Sequence, residues 1–365
     1  MQTTLSLRCA RSRSICCESS WLVTVRFGFV GFDHWYNAFP SLEAVLQDSE
    51  ATVVAIAHRD VAQAAYVSNK YGMPCGQSYE EVIERDDVDV VCSFASTEQN
   101  ADVAIRALEA GKSVAAIKPL AMTLVEADRL VETVQRTGKH YFPNDAARRL
   151  FPANRQFREW IDAGRIGDVV TAHCVFRAGL PQAWPGASQP GWFADPNRAP
   201  GGAFIDHAVY HVDVLRWLFG AEVEEVVGMV ANVRHKEIPV EDYGHGIFRF
   251  TNGAVGTIED TWTSGPGASR EAIEIVGTRG SMMMDSATGK MAFTGDFDLP
   301  GWLLASPPPS KGGFMQHVVR CVNGDEEPLS SVSTARDNLA ACLAFYESAK
   351  TGRAARPAPS LASAE

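Results

Sequence analysis

Five acid, imidazole and phenol side chains crowd one stretch of the chain. Residues 201–220 read GGAFIDHAVYHVDVLRWLFG, a glycine pair followed by a helical pattern that carries Asp206, His207, Tyr210, His211 and Asp213. Asp206, Tyr210, Asp213 and Trp217 step by four, three and four residues, so they share one helix face. His207 and His211 fall on the neighbouring face, about 100° around the axis. Val209, Val212, Leu215 and Leu218 are apolar enough to bury the helix. An acid, a phenol and two imidazoles on a half-buried helix are costly unless partners or proton transfer use them. The alternative is a polar helix edge whose side chains are hydrogen-bonded. The pair His207-x3-His211 could also converge on a metal with Asp206 and a loop residue such as His245, but a hydrogen-bonded structural role is the better reading, and no metal is expected.

A second feature lies upstream. Lys118-Pro119 follows the apolar run SVAAI, and the carboxyl end of a parallel strand is where doubly wound folds place ligands. A lysine there is suited to stabilising negative charge on an oxygen.

The elements that must position these residues alternate. Apolar strands at VRFGFVGF, 51–57, 88–94, 113–117 and 140–142 alternate with helices through Leu42–Leu46 (with Pro40 confined to a first turn), over Asp60–Tyr71, over Asn100–Ala110, and from a Thr123/Glu126 capping box to Gly138. This pattern predicts right-handed crossovers and a Rossmann-like, doubly wound parallel sheet. After Asn144 the rhythm changes. A helix through Phe157 and Trp160 stops at Gly164, a long strand spans 168–176, and a Pro/Gly/Trp-rich loop fills 178–200. Further strands follow, with a hairpin turn at Thr251-Asn252-Gly253. Two helices, near 314–323 and 333–350, close the chain. The expected architecture is α/β: a Rossmann-like domain over 25–145, and an α+β domain with a large, mostly antiparallel sheet over 146–353. The arginine- and serine-rich residues 1–24 read as a disordered or mis-started extension, and 354–365 as a flexible tail.

Composition narrows the partners. A net charge of −11 with no basic stripe argues against nucleic acid, and no apolar run approaches the roughly 20 residues of a membrane span. The eight cysteines form no C-x-x-C pair, which fits reduced thiols and a cytoplasmic location.

The first strand ends Gly31-Phe32-Asp33-His34-Trp35-Tyr36. A dinucleotide fingerprint would place glycines at 31, 33 and 36, and only Gly31 is present. Asp33 brings a carboxylate to where a pyrophosphate would sit. At the end of the second strand, His58-Arg59 stands where an acid would grip a ribose hydroxyl. That pair could meet a 2′-phosphate, which leans to NADP over NAD, or it is a solvated turn.

Three segments carry a resemblance: ALEAGKSVAAIKPLAMTLVEADRLV (107–131), WIDAGRIGDV (160–169) and GWFADPNRAPGGAFIDHAVYHVDVLRWLFG (191–220). Together they resemble the glucose–fructose oxidoreductase, inositol dehydrogenase and MocA family of NAD(P)-dependent oxidoreductases, over roughly 25–353. The resemblance implies hydride transfer between a nicotinamide cofactor and a hydroxyl or carbonyl of a sugar, cyclitol or related polyol. It implies Lys118 as catalytic lysine, Asp206 as the helix acid and Tyr210 as proton-transfer residue, with Lys118 lowering the phenol's pKa and His211 as the rival base. Cofactor contacts are expected from Gly31, Asp33, His34, His58, Arg59, Phe94, Ala95 and Lys118, substrate contacts from Trp192 and His207, and a homo-oligomer, dimer or tetramer, through the exposed face of the C-terminal sheet. The chain departs from the family pattern at Ile117, where the family has Glu, and at Ala95-Ser96-Thr97…Asn100, where it has Thr-Pro…His. Two alternatives therefore stand beside the leading reading: a redox-neutral glycoside-processing enzyme, and a non-catalytic member with a decayed nucleotide site.

Overall fold

The computed structural model describes residues 24–360. Apart from Thr24, the expectation for residues 1–24 lies outside them. Six parallel strands form the first sheet in the order β3-β2-β1-β4-β5-β6: β1 Val25–Val30, β2 Ala51–Ala57, β3 Cys75–Gly76, β4 Val90–Ser93, β5 Ser113–Ala116 and β6 Tyr141–Pro143. Helices α1 Trp35–Leu46, α2 Val61–Tyr71, α3 Tyr79–Ile83, α4 Thr97–Glu109 and α5 Leu124–Thr137 make the connections. Local chemistry sets several ends. Asp60 accepts from the Gln63 N–H to open α2, Thr123 and Glu126 form the full capping box of α5, and Gly72 and Gly138 close those two helices in left-handed backbone.

Two expectations about this half are corrected. Pro40 is the sixth residue of α1 rather than part of a first turn, because the helix opens directly after the turn that leaves β1. The ring is exposed and meets no core, and the helix gives up the one bond its N–H would have made. Helix α4 starts at Thr97, three residues before the expected Asn100, because Ser96 is the last extended residue and serves as N-cap.

The second half begins with α6 Pro152–Asp162, then β7 Val169–Arg177 and the 178–200 loop, which holds a short 3-10 turn at Gly191–Ala194. Helix α7 spans Ala203–Phe219. Strands β8 Val223–Ala231, β9 Tyr243–Phe250, β10 Val255–Thr261, β11 Arg270–Gly277, β12 Ser281–Asp285, β13 Lys290–Thr294 and β14 Leu303–Ala305 follow, with α8 Phe314–Asn323 and α9 Val332–Thr351 at the end. The eight-stranded sheet runs β14-β13-β12-β11-β7-β10-β9-β8. It is antiparallel except where β10 pairs with β7. Its inner face packs α7 through Phe204, Leu215, Phe248, Phe250 and Ile258. Helix α8 crosses back: Met315, Val318 and Val319 join Phe27, Phe29 and Phe142 in one core on the parallel sheet.

The described part of the expected loose tail is docked. Ala355 pairs antiparallel with Val226, and Arg336 donates to the carbonyls of Ala358 and Pro359 at 2.6 and 2.9 Å. Burial of that guanidinium under the chain end is what holds the segment down. No helix among the described residues is long and apolar enough to cross a membrane.

Candidate active site

Helix α7 enters the site through a crowded N-terminus. The backbone N–H of Gly202 and of Phe204 donate to the buried Glu241 carboxylate at 3.0 and 3.1 Å, and Tyr346 donates to the same group at 2.7 Å. A carboxylate there meets unpaired N–H donors and the positive end of the helix dipole. Glycine is required because a Cβ at Gly202 would strike the Glu241 backbone, and one at Gly201 the Tyr346 ring. The glycine pair thus lets a buried clamp set where α7 begins, and so where Asp206 stands.

Asp206 is the hub. Lys118, delivered by the end of β5, donates to its Oδ1 at 2.6 Å and also to its backbone carbonyl. Trp262, just past β10, donates Nε1–H to Oδ2 at 3.2 Å. Burial works to raise the Asp206 carboxyl, but the Lys118 ammonium and its hydrogen bond hold it below the ordinary carboxylate range. His207 packs against Phe176 with ring centres 4.0 Å apart and planes tilted by 31°, with Nε2 at 3.5 Å from Asp206 and Nδ1 buried without a partner. Burial lowers its pKa to about 3, so the imidazole is neutral.

Tyr210 donates its hydroxyl proton to Asn144 Oδ1 at 2.9 Å, and its ring faces Lys118 Nζ at 5.2 Å and the Arg148 guanidinium at 4.9 Å. The expectation that Lys118 lowers this phenol's pKa is corrected. Burial raises it, and the ammonium is engaged with Asp206 instead. His211 does not share the site's face. It lies between Asp260 (3.2 Å) and Glu271 (3.7 Å), and those carboxylates, working against burial, push its pKa up to about 9. It lines a separate cavity of about 180 Å³ with Arg148 and Glu271, which pair at 2.8 Å. Asp213, farther along α7, is held by Arg149 at 2.7 and 2.8 Å and by Asn338. The end of this helix face is therefore the polar, hydrogen-bonded edge, and only its start is open.

That start opens onto a cavity of about 850 Å³, walled by His34, Lys118, Asn144, Asp206, His207 and Tyr210 among others. Lys118, Asp206, Tyr210, His207 and His34 are thus brought together. Among the described residues no group of three or more His, Cys, Asp or Glu side chains could hold a metal ion. His207 and His211 turn to different partners, and His245 sits opposite Met229 and Glu259 in the sheet, beside the exposed Ile247 row. Trp262, Asn144, Arg148, Glu241, Asp260 and Glu271 escape sequence reading. Only sheet register and the fold of the 144–150 turn bring them to α7.

The other predicted contacts lie at the nucleotide edge. The strand order reverses between β1 and β4, the crevice where this fold takes a dinucleotide. Gly31 has φ +72° and packs so closely on Ala95 that a Cβ would lie 2.6 Å from its nitrogen. His34 N–H donates to the Phe94 carbonyl at 3.1 Å, and the Phe32 N–H to His58 Nδ1 at 3.1 Å. His58 Nε2 is 2.5 Å from Gln63, and Arg59 bonds Gln99 at 2.8 Å and pairs with Glu80 at 3.3 Å. Trp192, expected against substrate, instead packs on His34 at 4.7 Å and donates to the Asp33 carbonyl. Trp184 lies parallel to His58 at 5.8 Å, and Arg198 reaches Ser96, Glu98 and Asp33. With the loop seated this way, the groove does not fit a dinucleotide. The β1–α1 turn and the end of β2, where this fold takes pyrophosphate and ribose, are contacted by Trp192, Gln182 and Trp184 of the chain itself, and Asp33 adds a carboxyl beside the turn.

The comparisons with known proteins agree with the fold. Residues 25–145 match the model of the oxidoreductase family with NAD-binding Rossmann fold, and residues 154–283 match the GFO/IDH/MocA C-terminal domain. A 1,5-anhydro-D-fructose reductase of Ensifer adhaerens is 28% identical over 76% of this chain and 82% of its own length. The scyllo-inositol 2-dehydrogenase (NAD(+)) of Bacillus subtilis is 27% identical over 89% and 92%. Levoglucosan dehydrogenase, solved with NADH and levoglucosan, superposes with a TM-score of 0.77 at 22% identity, covering 92% of this chain and 99% of that one. The chain belongs to the glucose–fructose oxidoreductase, inositol dehydrogenase and MocA family, NAD(P)-dependent oxidoreductases that transfer hydride between a nicotinamide cofactor and a hydroxyl or carbonyl of a sugar, cyclitol or related polyol.

Proposed function

We propose that the cavity of Lys118, Asp206 and Tyr210 interconverts a hydroxyl and a carbonyl on a sugar, cyclitol or related polyol. The observation that carries this reading is the buried Lys118–Asp206 pair in the wall of the large cavity. Lys118 has three N–H donors and spends two on Asp206. The third serves a ligand oxygen. As the hydroxyl proton passes between that oxygen and water in the open cavity, the ammonium stabilises the negative charge that develops on the oxygen. Asp206, itself fixed by Trp262, holds the ammonium in place. Tyr210 keeps lone pairs on its oxygen after donating to Asn144, so it accepts from a neighbouring hydroxyl and acts as a positioning residue. The neutral His207 offers a further polar wall. Such a wall suits a ligand with several hydroxyls, and the names of the relatives point the same way.

In this reading residues 25–145 carry the cofactor when the 178–200 loop is unseated, with NADP favoured over NAD because Arg59, paired with Glu80 at the end of β2, stands where a 2′-phosphate would be met. Residues 146–353 carry substrate and the pairing surface. Exposed Val227, Met229 and Ile247, neighbours on β8 and β9, support a homo-oligomer through the outer sheet face, and the free cysteines support a cytoplasmic setting. The test incubates full-length protein with a polyol panel and NAD⁺ or NADP⁺, and with the matching carbonyls and reduced cofactor, following reduced-nicotinamide absorbance. Turnover that is abolished in Lys118→Ala supports the assignment. No turnover in either direction with any member of the panel overturns it.

A further inference from the structure

The 178–200 loop has its ends on one domain and its middle on the other. At its start, the Ala178 N–H bonds the Thr261 carbonyl and the Ser264 N–H bonds the Ala178 carbonyl, which ties the chain to β10 and the turn after it. At its end, Gly202 is clamped by Glu241. Between these anchors it crosses to the ends of the parallel strands and makes three separate attachments. Over β2, Trp184 lies parallel to His58 (5.8 Å, 12°) and edge-on to Phe39 and Tyr66. Over the β1–α1 turn, the Gln182 carbonyl accepts from Trp35 Nε1 at 3.0 Å, and Trp192 and Phe193 enclose His34 at 4.7 and 5.1 Å. Over β4, Arg198 bonds Glu98 at 2.7 Å and Ser96 at 2.9 Å. These three places, the ends of β1, β2 and β4, are those a dinucleotide needs for its pyrophosphate, ribose and nicotinamide ends.

We infer that residues 182–198 form a strap that occupies the dinucleotide groove, so that strap docking and NAD(P) binding exclude each other. The inference rests on the oxidoreductase reading above. Two of the three attachments are of the kind that can be released, whereas Trp192 and Phe193 are buried with Val240 and Trp262 and stay with the second domain. The ring contacts at Trp184 are at a half-buried side chain, the Arg198 pair is partly exposed, and Gly186 and Gly191 have positive φ within the strap. The cavity of Lys118 and Asp206, whose wall includes Gln182 and Phe193 of the strap, stays open in the docked state. The docked chain therefore presents a finished substrate pocket beside a closed cofactor groove. A cofactor whose competent state is only a fraction of the population binds more weakly by that fraction. Loosening the strap removes the penalty.

The test uses full-length protein titrated with NADH and with NADPH, following nicotinamide fluorescence, for the wild type and for Trp184→Ala/Arg198→Ala. The expected result is an affinity about tenfold tighter in the double variant for at least one cofactor. Hydrogen exchange of 182–198 in the unaltered protein gives a second readout that needs no variant: exchange should rise when cofactor is bound. Equal or weaker affinity in the variant, with 182–198 equally or better protected in the presence of cofactor, overturns the strap while leaving the oxidoreductase reading intact. No binding of either cofactor at millimolar concentration, in wild type and variant alike, overturns both.

Discussion

Two ion pairs join the N-terminal domain to the segment around α7, and at nearly the same distance they do different work. Lys118–Asp206 closes at 2.6 Å with side chains 3% and 14% exposed, and Arg198–Glu98 closes at 2.7 Å with 37% and 25%. In the first, both charges have left water and each depends on the other, so removing one strands its partner. In the second, solvent already shares the load, and the pair contributes little to stability. The first is a lock on the substrate side. The second is a latch on the nucleotide side. A short distance alone would not tell them apart.

That contrast can be broken most directly at Lys118. Lys118→Ala should lower turnover by at least about 10²-fold and destabilise the fold by about 3–5 kcal/mol, because Asp206 is left buried and unpaired. Denaturant unfolding beside steady-state kinetics checks both. A variant with wild-type stability would place the pair in the same class as the latch.

The next largest effect is electrostatic and lies behind the lock. Asp145 is buried next to Asp213, with a hydrogen bond from Asn338, and burial pushes its carboxyl up to about 7. The folded protein thus holds a proton that the unfolded chain releases near pH 4, so stability falls as pH rises from about 4 to about 7. His211 adds to the trend from above: its contribution is complete below about 6.5 and is lost as pH rises through about 9. Asp145→Asn should flatten the lower limb and raise stability at pH 8 by on the order of a few kcal/mol, seen as a higher Tm at pH 8 with little change at pH 4.

Tyr210→Phe should cost less than Lys118→Ala, about tenfold or under in turnover with a raised KM, since it removes one hydrogen bond worth about 0.5–1.5 kcal/mol. A loss as large as that of Lys118→Ala would make the phenol a proton carrier rather than a positioning group. The smallest effect belongs to the latch. Arg198→Ala alone should change unfolding free energy by about 1 kcal/mol or less, and a larger loss would show that the strap contributes to the fold.

How much of this could be read from the chain depended on how far apart the partners are. The strand Ala51–Ala57 is legible to the residue because a β-branched and apolar run ends at the polar His58-Arg59 turn that leads to a helix cap at Asp60. The Thr123/Glu126 box and the Thr251-Asn252-Gly253 turn are legible because their partners are three residues apart or fewer. The start of the site helix is legible from the glycine pair before it, and the family resemblance names Lys118 and Asp206 as site residues without the bond between them. The two-residue β3, the five-residue α3, β13 and β14 are too short to establish a period. Asp260 on β10 and Glu271 on β11 reach His211 only through sheet register, so nothing local marks them. The strap is hidden for a further reason. Its tryptophans could stack on a substrate ring, although aromatics in a Pro/Gly loop more often pack the loop down, and only their seating on His34 and His58 shows where they go.

Helix α8 has a consequence for how the chain is made. Phe27, Phe29 and Phe142 share their core with Met315, Val318 and Val319 as well as with Phe39 and Leu42 of α1, so one face of the parallel sheet is only partly covered until residues near 323 have left the ribosome. The first half of the protein cannot finish before the second is nearly complete. Long-range closure of this kind slows folding and prolongs exposure of apolar strands. A fragment cut at the apparent domain boundary would keep its strands and lose the helix that covers them.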